Sequence, residues 1–376
     1  MTSSLDTRPG SPARSGATGI LLAGDIGGTK TALGLYSAEQ GPRTPLLETE
    51  YPSANYLSLG AIVQEFLAGT ELRADRACFA VAGPVFGGSS QVTNLPWLLY
   101  EPDLQDELEL RSVHLVNDLE AIAGAMTILG PGDLHPLNSG ESIAGGARAV
   151  IAPGTGLGEA FLVWDGSRYR AFPSEGGHAN FAPSTEEQAG LLLHLLKLCD
   201  HVSVERVCSG PGLVHIYEYL RESRQAPDSA DHAAAIQANR KDGPALISKA
   251  ALRPDPDPLA RAALELFVDI LGAEAGNLAL KVLSTGGVYL AGGIPQRILP
   301  ALEDGRFMRS FIAKGRMSEL LSRIPVWVVA LHAALLGAAL VGLRGMSESG
   351  EMSGNVPIPG SASTAPSAPS ASPREH

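Results

Sequence analysis

The chain has 376 residues, enough for two domains and a large buried core. Its apolar share of 44% is ordinary for a globular protein, and no apolar run reaches the length of a membrane span. The net charge of −12 argues against a nucleic-acid footprint, so a phosphorylated ligand must be held by local amides, a metal and a few cations.

Residues 1–17 are rich in Ser, Pro, Arg and Gly, are expected to be a disordered tail, and lack the apolar core of a signal peptide. ILLAGDIGG then reads as a buried strand, and TALGLYS as a second strand paired with it through a tight turn. RACFAVAGPV is a strand ending at Gly-Pro. VHLVNDLEAIAGAM is a strand of about five residues running into a helix. RAVIAPGTGLGEAFLVWDG repeats the opening theme of strand, Gly/Thr turn and strand, about 130 residues further on. STEEQAGLLLHLLKLC predicts an amphipathic helix with a capping box from Ser184 to Glu187. A long helical pattern starts at PLARAALELF, GGVYLAGGIP is a strand ending in glycines, and LHAALLGAALVGL closes the ordered chain as a helix. The segment 346–376 is nearly all Ser, Pro, Ala and Gly and cannot bury enough apolar surface to offset its ordering entropy, so it is expected to be disordered. Alternating strands and helices predict α/β sheets with ligands at the strand ends. The two similar hairpins predict two related sheets facing one cleft. Cys78, Cys199 and Cys208 show neither metal-ligand spacing nor obvious pairing, which fits a reducing cytoplasm.

The first hairpin turn resembles a P-loop but fails that reading on spacing and on context, because a strand follows it where a P-loop has a helix. What remains is a turn with bare amides at Gly27, Gly28 and Thr29, a nest suited to phosphate. Asp25 lies at its mouth, and a carboxylate beside phosphate needs a cation between them. Mg²⁺, bound through water, is the natural bridge. A plain hairpin turn with Asp25 satisfying its own backbone is the alternative. APGTGLGEA makes the same offer with Gly154, Thr155, Gly156 and Gly158, and YLAGGIPQR adds a third glycine turn suited to a flat ring. Asn117 and Asp118 end a strand where a helix begins. They are either site residues at a cleft edge or a helix cap.

Taken in order, GDIGGTK, TNLPW, VNDLEA, APGTGLG, SEGGHANFAP, ERVCSGPGL and LAGGI resemble the bacterial glucokinases, a zinc-free branch of the hexokinase/actin-like ATPase superfamily, over roughly Ile20 to Leu343. The related repressor–kinase family shares the first loop but carries a cysteine-rich zinc motif downstream of its histidine, which this chain lacks. The resemblance implies an α/β, two-domain hexokinase/actin-like (ribonuclease H-like) fold with a cleft between the lobes. The small domain would comprise 18–128 plus 331–345, and the large domain 129–330. By position, Asp118 matches the family's catalytic base and Asn117 its partner in the sugar site. Glu175, His178 and Glu205 match ligands of the sugar hydroxyls, and Asn94 lies on the loop that closes over the sugar. Gly24, Asp25, Ile26, Gly27, Gly28, Thr29 and Lys30 match the region of the β- and γ-phosphates. Gly154, Thr155, Gly156 and Gly158 match the second phosphate loop, and Gly292 and Gly293 the adenosine site. Lys30, Ser174 and Asn180 depart from the family's usual Asn, Gly and Asp.

What the resemblance implies is transfer of the γ-phosphoryl group of ATP to the 6-hydroxyl of glucose, with ATP and Mg²⁺ required, in a cytoplasmic homodimer. A kinase for another hexose, one using ADP or polyphosphate, and a non-catalytic sugar sensor are the alternatives. The residues suit the leading reading. A sugar alcohol is a poor nucleophile, and a positioned carboxylate such as Asp118 can accept its proton. Hydroxyls both donate and accept, so convergent polar side chains hold them best and discriminate strongly. Water competes as acceptor, so the cleft is expected to close, hinging near Ala123–Leu129 and near Leu331.

Overall fold

The computed structural model describes residues 19–223, 234, 236, 240 and 242–348. The expected disordered segment 1–17 and nearly all of 346–376 lie outside these residues.

Two sheets are wired alike. The first contains β1 (Ile20–Ile26), β2 (Lys30–Ser37), β3 (Leu47–Pro52), β4 (Arg76–Val81) and β7 (Ser112–Asn117), in the order β3-β2-β1-β4-β7. β5 (Ser89–Gln91) and β6 (Leu98–Tyr100) form a separate hairpin between β4 and β7. The second sheet has β9 (Arg148–Pro153), β10 (Leu157–Trp164), β11 (Tyr169–Ser174), β12 (Val288–Leu290) and β13 (Val326–Val329), in the order β11-β10-β9-β12-β13, with β8 (Leu134–Pro136) added beyond β13. In each, a central strand pairs antiparallel with the strand after it and parallel with a later one. The repeat read from the two glycine turns is therefore a repeat of whole sheets. Near-continuous apolar runs such as RACFAV and RAVIAP become strands because both faces of each sheet are covered.

The coverings form layers. The outer face of the first sheet packs on α1 (Leu59–Ala68) and α2 (Glu101–Glu107), through Phe66, Leu104, Phe79 and Leu22. The outer face of the second packs on α4 (Glu186–Leu195), α5 (Gly210–Glu222), α6 (Gly243–Ala251) and the 25-residue α7 (Pro258–Val282). The short helices α8 (Gly293–Arg297), α9 (Leu299–Leu302), α10 (Arg306–Ile312) and α11 (Ser318–Arg323) lead from β12 to β13. Between the sheets lie α3 (Asp118–Ala125) and α12 (Ala333–Glu348). One buried cluster joins Leu21, Ala23 and Cys78 of the first sheet to α3, α12, and Val150, Ala160 and Tyr289 of the second. Small residues on both helices allow that close packing; a methyl group at Gly337 would collide with the carbonyl oxygen of Ala121. The last helix continues through Glu348, past the boundary expected at 345.

The helix at 186 starts one residue later than predicted. Thr185 is its N-cap, accepting from the Gln188 amide, while the Gln188 side chain accepts from the backbone N–H of Ser184. The capping logic is the expected one, shifted by one residue because Gln188 reaches back where Glu187 was expected to.

Candidate active site

Parallel register sets the site's frame. Asp25 of β1 lies beside Ala80 of β4, and Val81 lies beside Asn117 of β7. The carboxyl ends of β1 and β7 thus emerge on one edge, two strands apart, about 10 Å by ordinary strand spacing. Asn117 caps α3: its side-chain oxygen accepts from the amides of Leu119 and Glu120, and its Nδ2 donates to the carbonyl of Gly83 at 3.0 Å. Asp118 is therefore the first helical residue and not the cap. Its Oδ1 accepts from the Leu119 amide at 2.8 Å. Burial pushes its pKa up to about 6 against that hydrogen bond, with Glu175 adding to the rise. Burial, and then the charges of Asp118 and Glu50, push Asp25 up to about 7.

The first loop is braced from behind. Gly27 donates to the carbonyl of Lys30, Ser53 Oγ donates to the carbonyl of Gly27, and the Ser53 amide donates to Thr29. Gly28 fits a close approach, since a Cβ there would lie 2.5 Å from the carbonyl oxygen of Thr93. That contact joins the loop to Asn94, which holds a left-handed φ of 64° at the apex of TNLPW. Thr29 and Lys30 are exposed. Lys30 bonds Glu50 at 2.6 Å, and Glu50 also faces His332 at 3.4 Å. Gly24 and Ile26 are buried within β1 and can offer the site only backbone.

The second loop meets the expected sugar ligands. Glu205 Oε2 accepts from the Leu157 amide at 2.9 Å, and the Gly210 amide donates to the carbonyl of Gly154. ERVCSGPG is thus folded onto GTGLG. Gly156 packs on the Glu205 carboxylate, and Gly158 packs on Leu119, the residue after Asp118. A cavity of about 360 Å³ connects Thr155 with His178, Glu205 and Ser209. Glu175 and His178 flank a short turn, 3.8 Å apart, with side chains 77% and 62% exposed, so they stand at an open rim. Gly292, at φ 83°, places the third glycine turn against the carbonyl of Pro153, just before the second loop. Gly293, exposed, begins the helix after it.

The two halves of the site are therefore one surface. Leu119–Gly158 ties the helix bearing Asp118 to the second loop, and Gly28–Thr93 ties the first loop to Asn94. Sequence reasoning missed Ser53, Gly83, Glu50 and Glu159. Only Gly83, in the quoted AGPV, carried a signal, as a glycine at a strand end. Among the described residues no group of three or more His, Cys, Asp or Glu could cage a metal. Asp25 fits a magnesium ion, because a carboxyl at the loop's mouth whose pKa is raised by burial and then by the charges of Asp118 and Glu50 gains from a cation.

Comparison with known proteins gives one answer. A family model described as Glucokinase matches residues 22–344. The glucokinase of Nostoc punctiforme is 43% identical over 341 residues, covering 86% of this chain and 99% of the relative. A glucokinase from an Antarctic psychrotroph superposes with a TM-score of 0.71 at 31% identity, covering 86% of this chain and 99% of that one. A repressor–kinase-type (ROK) glucokinase from Streptomyces griseus, in complex with glucose and AMPPNP, superposes at 0.59 with 21% identity, covering 87% of this chain and 100% of that one; this likeness bears on the fold.

Proposed function

Because this chain belongs to the glucokinase family, we propose that Asp118 is the general base with which it phosphorylates glucose. Its activity is that of an ATP-dependent hexose kinase, turning glucose and ATP into glucose 6-phosphate and ADP. Asp118 takes the proton of the 6-hydroxyl as that oxygen attacks the γ-phosphorus in line. Asn117, Asn94, Glu175, His178 and Glu205 orient the sugar. The amides of Gly28 and Thr29 and the loop Gly154–Thr155–Gly156 cradle the phosphates, while the Gly27 amide is tied back to the Lys30 carbonyl and shapes the turn, and Gly292 and Gly293 border the adenosine. When bound, magnesium neutralises charge on the transferring phosphoryl group, and Asp25 would hold it through water.

One observation carries this reading. Asn117 takes the Glu120 amide and shares the Leu119 amide with Asp118 Oδ1, so only one oxygen of Asp118 is engaged at the helix start and Oδ2 is left for chemistry beside the loops. The experiment is a coupled assay crossing ATP, ADP and polyphosphate with glucose and other hexoses. Glucose with ATP should give the highest kcat/KM. A preference for another hexose or donor would overturn the assignment, and no turnover with any pair would leave a sugar sensor.

Closure would bring a lobe of residues 18–128 plus 331–345 toward one of residues 129–330. The family resemblance further supports a cytoplasmic homodimer, which light scattering on the purified chain would test. Among the described residues no helix is long and apolar enough to cross a membrane.

A further inference from the structure

Beneath the turn that carries Glu175 and His178 lies an acid with no assigned role. Glu159 stands in β10, opposite Ser174 of β11 and Ile151 of β9, and is 1% exposed. Its Oε1 has no hydrogen-bond partner among the described residues. Its other oxygen lies against the turn, where a Cβ on Gly176 would collide with Oε2. The Gly176 amide is held by Ser174 Oγ at 3.0 Å. Behind Glu159, α7 contributes Glu274, which Lys281 bonds at 3.2 Å, and Lys314 lies against the same helix through Asn277. The buried thiol of Cys208 is pushed up by burial and then by Glu274 and Glu159.

We propose that Glu159 is a positioning residue for glucose binding, holding the Glu175–His178 turn in register only while its carboxyl is neutral. The inference rests on the reading of Glu175 and His178 as sugar ligands. An unpaired buried carboxylate is costly, whereas the neutral acid tolerates the site. Ionisation would place a charge between Glu274 on one side and the turn bearing Glu175 on the other. β10 is paired on both sides and cannot yield, so the short turn beside it moves at its outer end, where His178 is exposed while Gly177 is buried. Burial, then repulsion from Glu274, opposed by Lys281, sets the Glu159 pKa at about 7, so the two states exchange in the working pH range.

The test is the glucose KM at saturating ATP from pH 6 to 9, with kcat recorded beside it. For the wild type, KM should rise roughly three- to tenfold between pH 6 and 8, as expected for one group titrating near 7, with kcat unaffected by this group. Glu159→Gln keeps the shape without the charge, so its KM should stay at the low-pH wild-type value throughout. Its melting temperature should match the wild type near pH 4 and exceed it at pH 8. Here the sign follows from a raised pKa: the favourable contribution is present below the ordinary glutamate range and lost as pH rises through about 7. Gly176→Ala should raise KM in the wild type but much less beside Glu159→Ala. A wild-type pH dependence retained by Glu159→Gln, or equal penalties for Gly176→Ala in both backgrounds, overturns the proposal. His178→Ala separates the premises. If it leaves KM unaltered, the sugar-site reading falls and this proposal with it. If it raises KM while Glu159→Gln behaves as wild type, this proposal alone falls.

Discussion

Asp118 raises the proton affinity of Asp25, although the two belong to motifs more than ninety residues apart, one in β1 and one at the start of α3. The parallel order β1-β4-β7 brings them to one sheet edge. Two carboxyls there resist joint ionisation unless a cation joins them. The proposed base and the carboxyl proposed to hold magnesium are therefore coupled before any ligand arrives.

The burial of Asp118 gives a pH profile. Asp118 must be ionised to accept a proton, and its pKa is pushed up to about 6. At saturating substrates kcat should fall about tenfold per pH unit below that value and level off above it. A kcat constant down to pH 5 would contradict the assignment. The wild-type rise of KM above pH 7 belongs to Glu159 and should appear separately.

Asp25→Asn should lower kcat/KM by about 10²–10³-fold, the typical worth of one preorganised electrostatic contact, and weaken the dependence on magnesium. The same change should stabilise the free protein. A raised carboxyl makes its contribution below about pH 4 and loses it as pH rises through about 7, so at pH 8 wild-type Asp25 is a half-buried anion. Calorimetry at pH 8 should show a melting temperature a few degrees higher for the variant, whereas a lower one would show that Asp25 is paired in the free protein.

Gly28→Ala tests the contact between the loops. The new methyl meets the Thr93 carbonyl at 2.5 Å, and backbone there cannot swing aside. The KM values for ATP and for glucose should both rise, by about tenfold or more, because small displacements of positioning groups are costly. A change confined to ATP would mean that Thr93–Asn94 does not border the sugar.

The hinge can be tested in solution. Arg43, from the connection between β2 and β3, bonds Asp133 through both terminal nitrogens at 2.8 and 3.0 Å and also bonds the carbonyl of Ile128. Arg148 of β9 bonds the carbonyl of Met126. Both arginines thus hold the carbonyls at the end of α3, where bending was expected. Small-angle scattering should show a smaller radius of gyration with glucose than without it, and an unchanged radius would count against closure. Arg43→Ala should cost no more than about 1 kcal/mol in stability, since the pair is exposed on the arginine side.

Much of this architecture could be read from the chain itself. The two hairpins were visible because an apolar run, a glycine turn and a second run leave few other folds, and their recurrence foretold two sheets. Asn117 and Asp118 were legible as a pair, but which of them caps the helix was not, because either side chain can reach the same amides. The partner of Lys30 was out of reach, since Glu50 meets it only through the pairing of β2 with β3. Glu159 looks like any polar residue in a half-exposed strand. Its burial depends on α7, more than a hundred residues later, folding across the same sheet.

The most direct measurement is Asp118→Asn, assayed for turnover and for glucose affinity by calorimetry. The amide keeps the shape and loses the base. Turnover should fall by about 10²–10⁴-fold, the usual worth of a positioned base, while glucose binds within a few-fold of wild type. Turnover near that of the wild type would remove Asp118 from the chemistry, and with it the site as drawn.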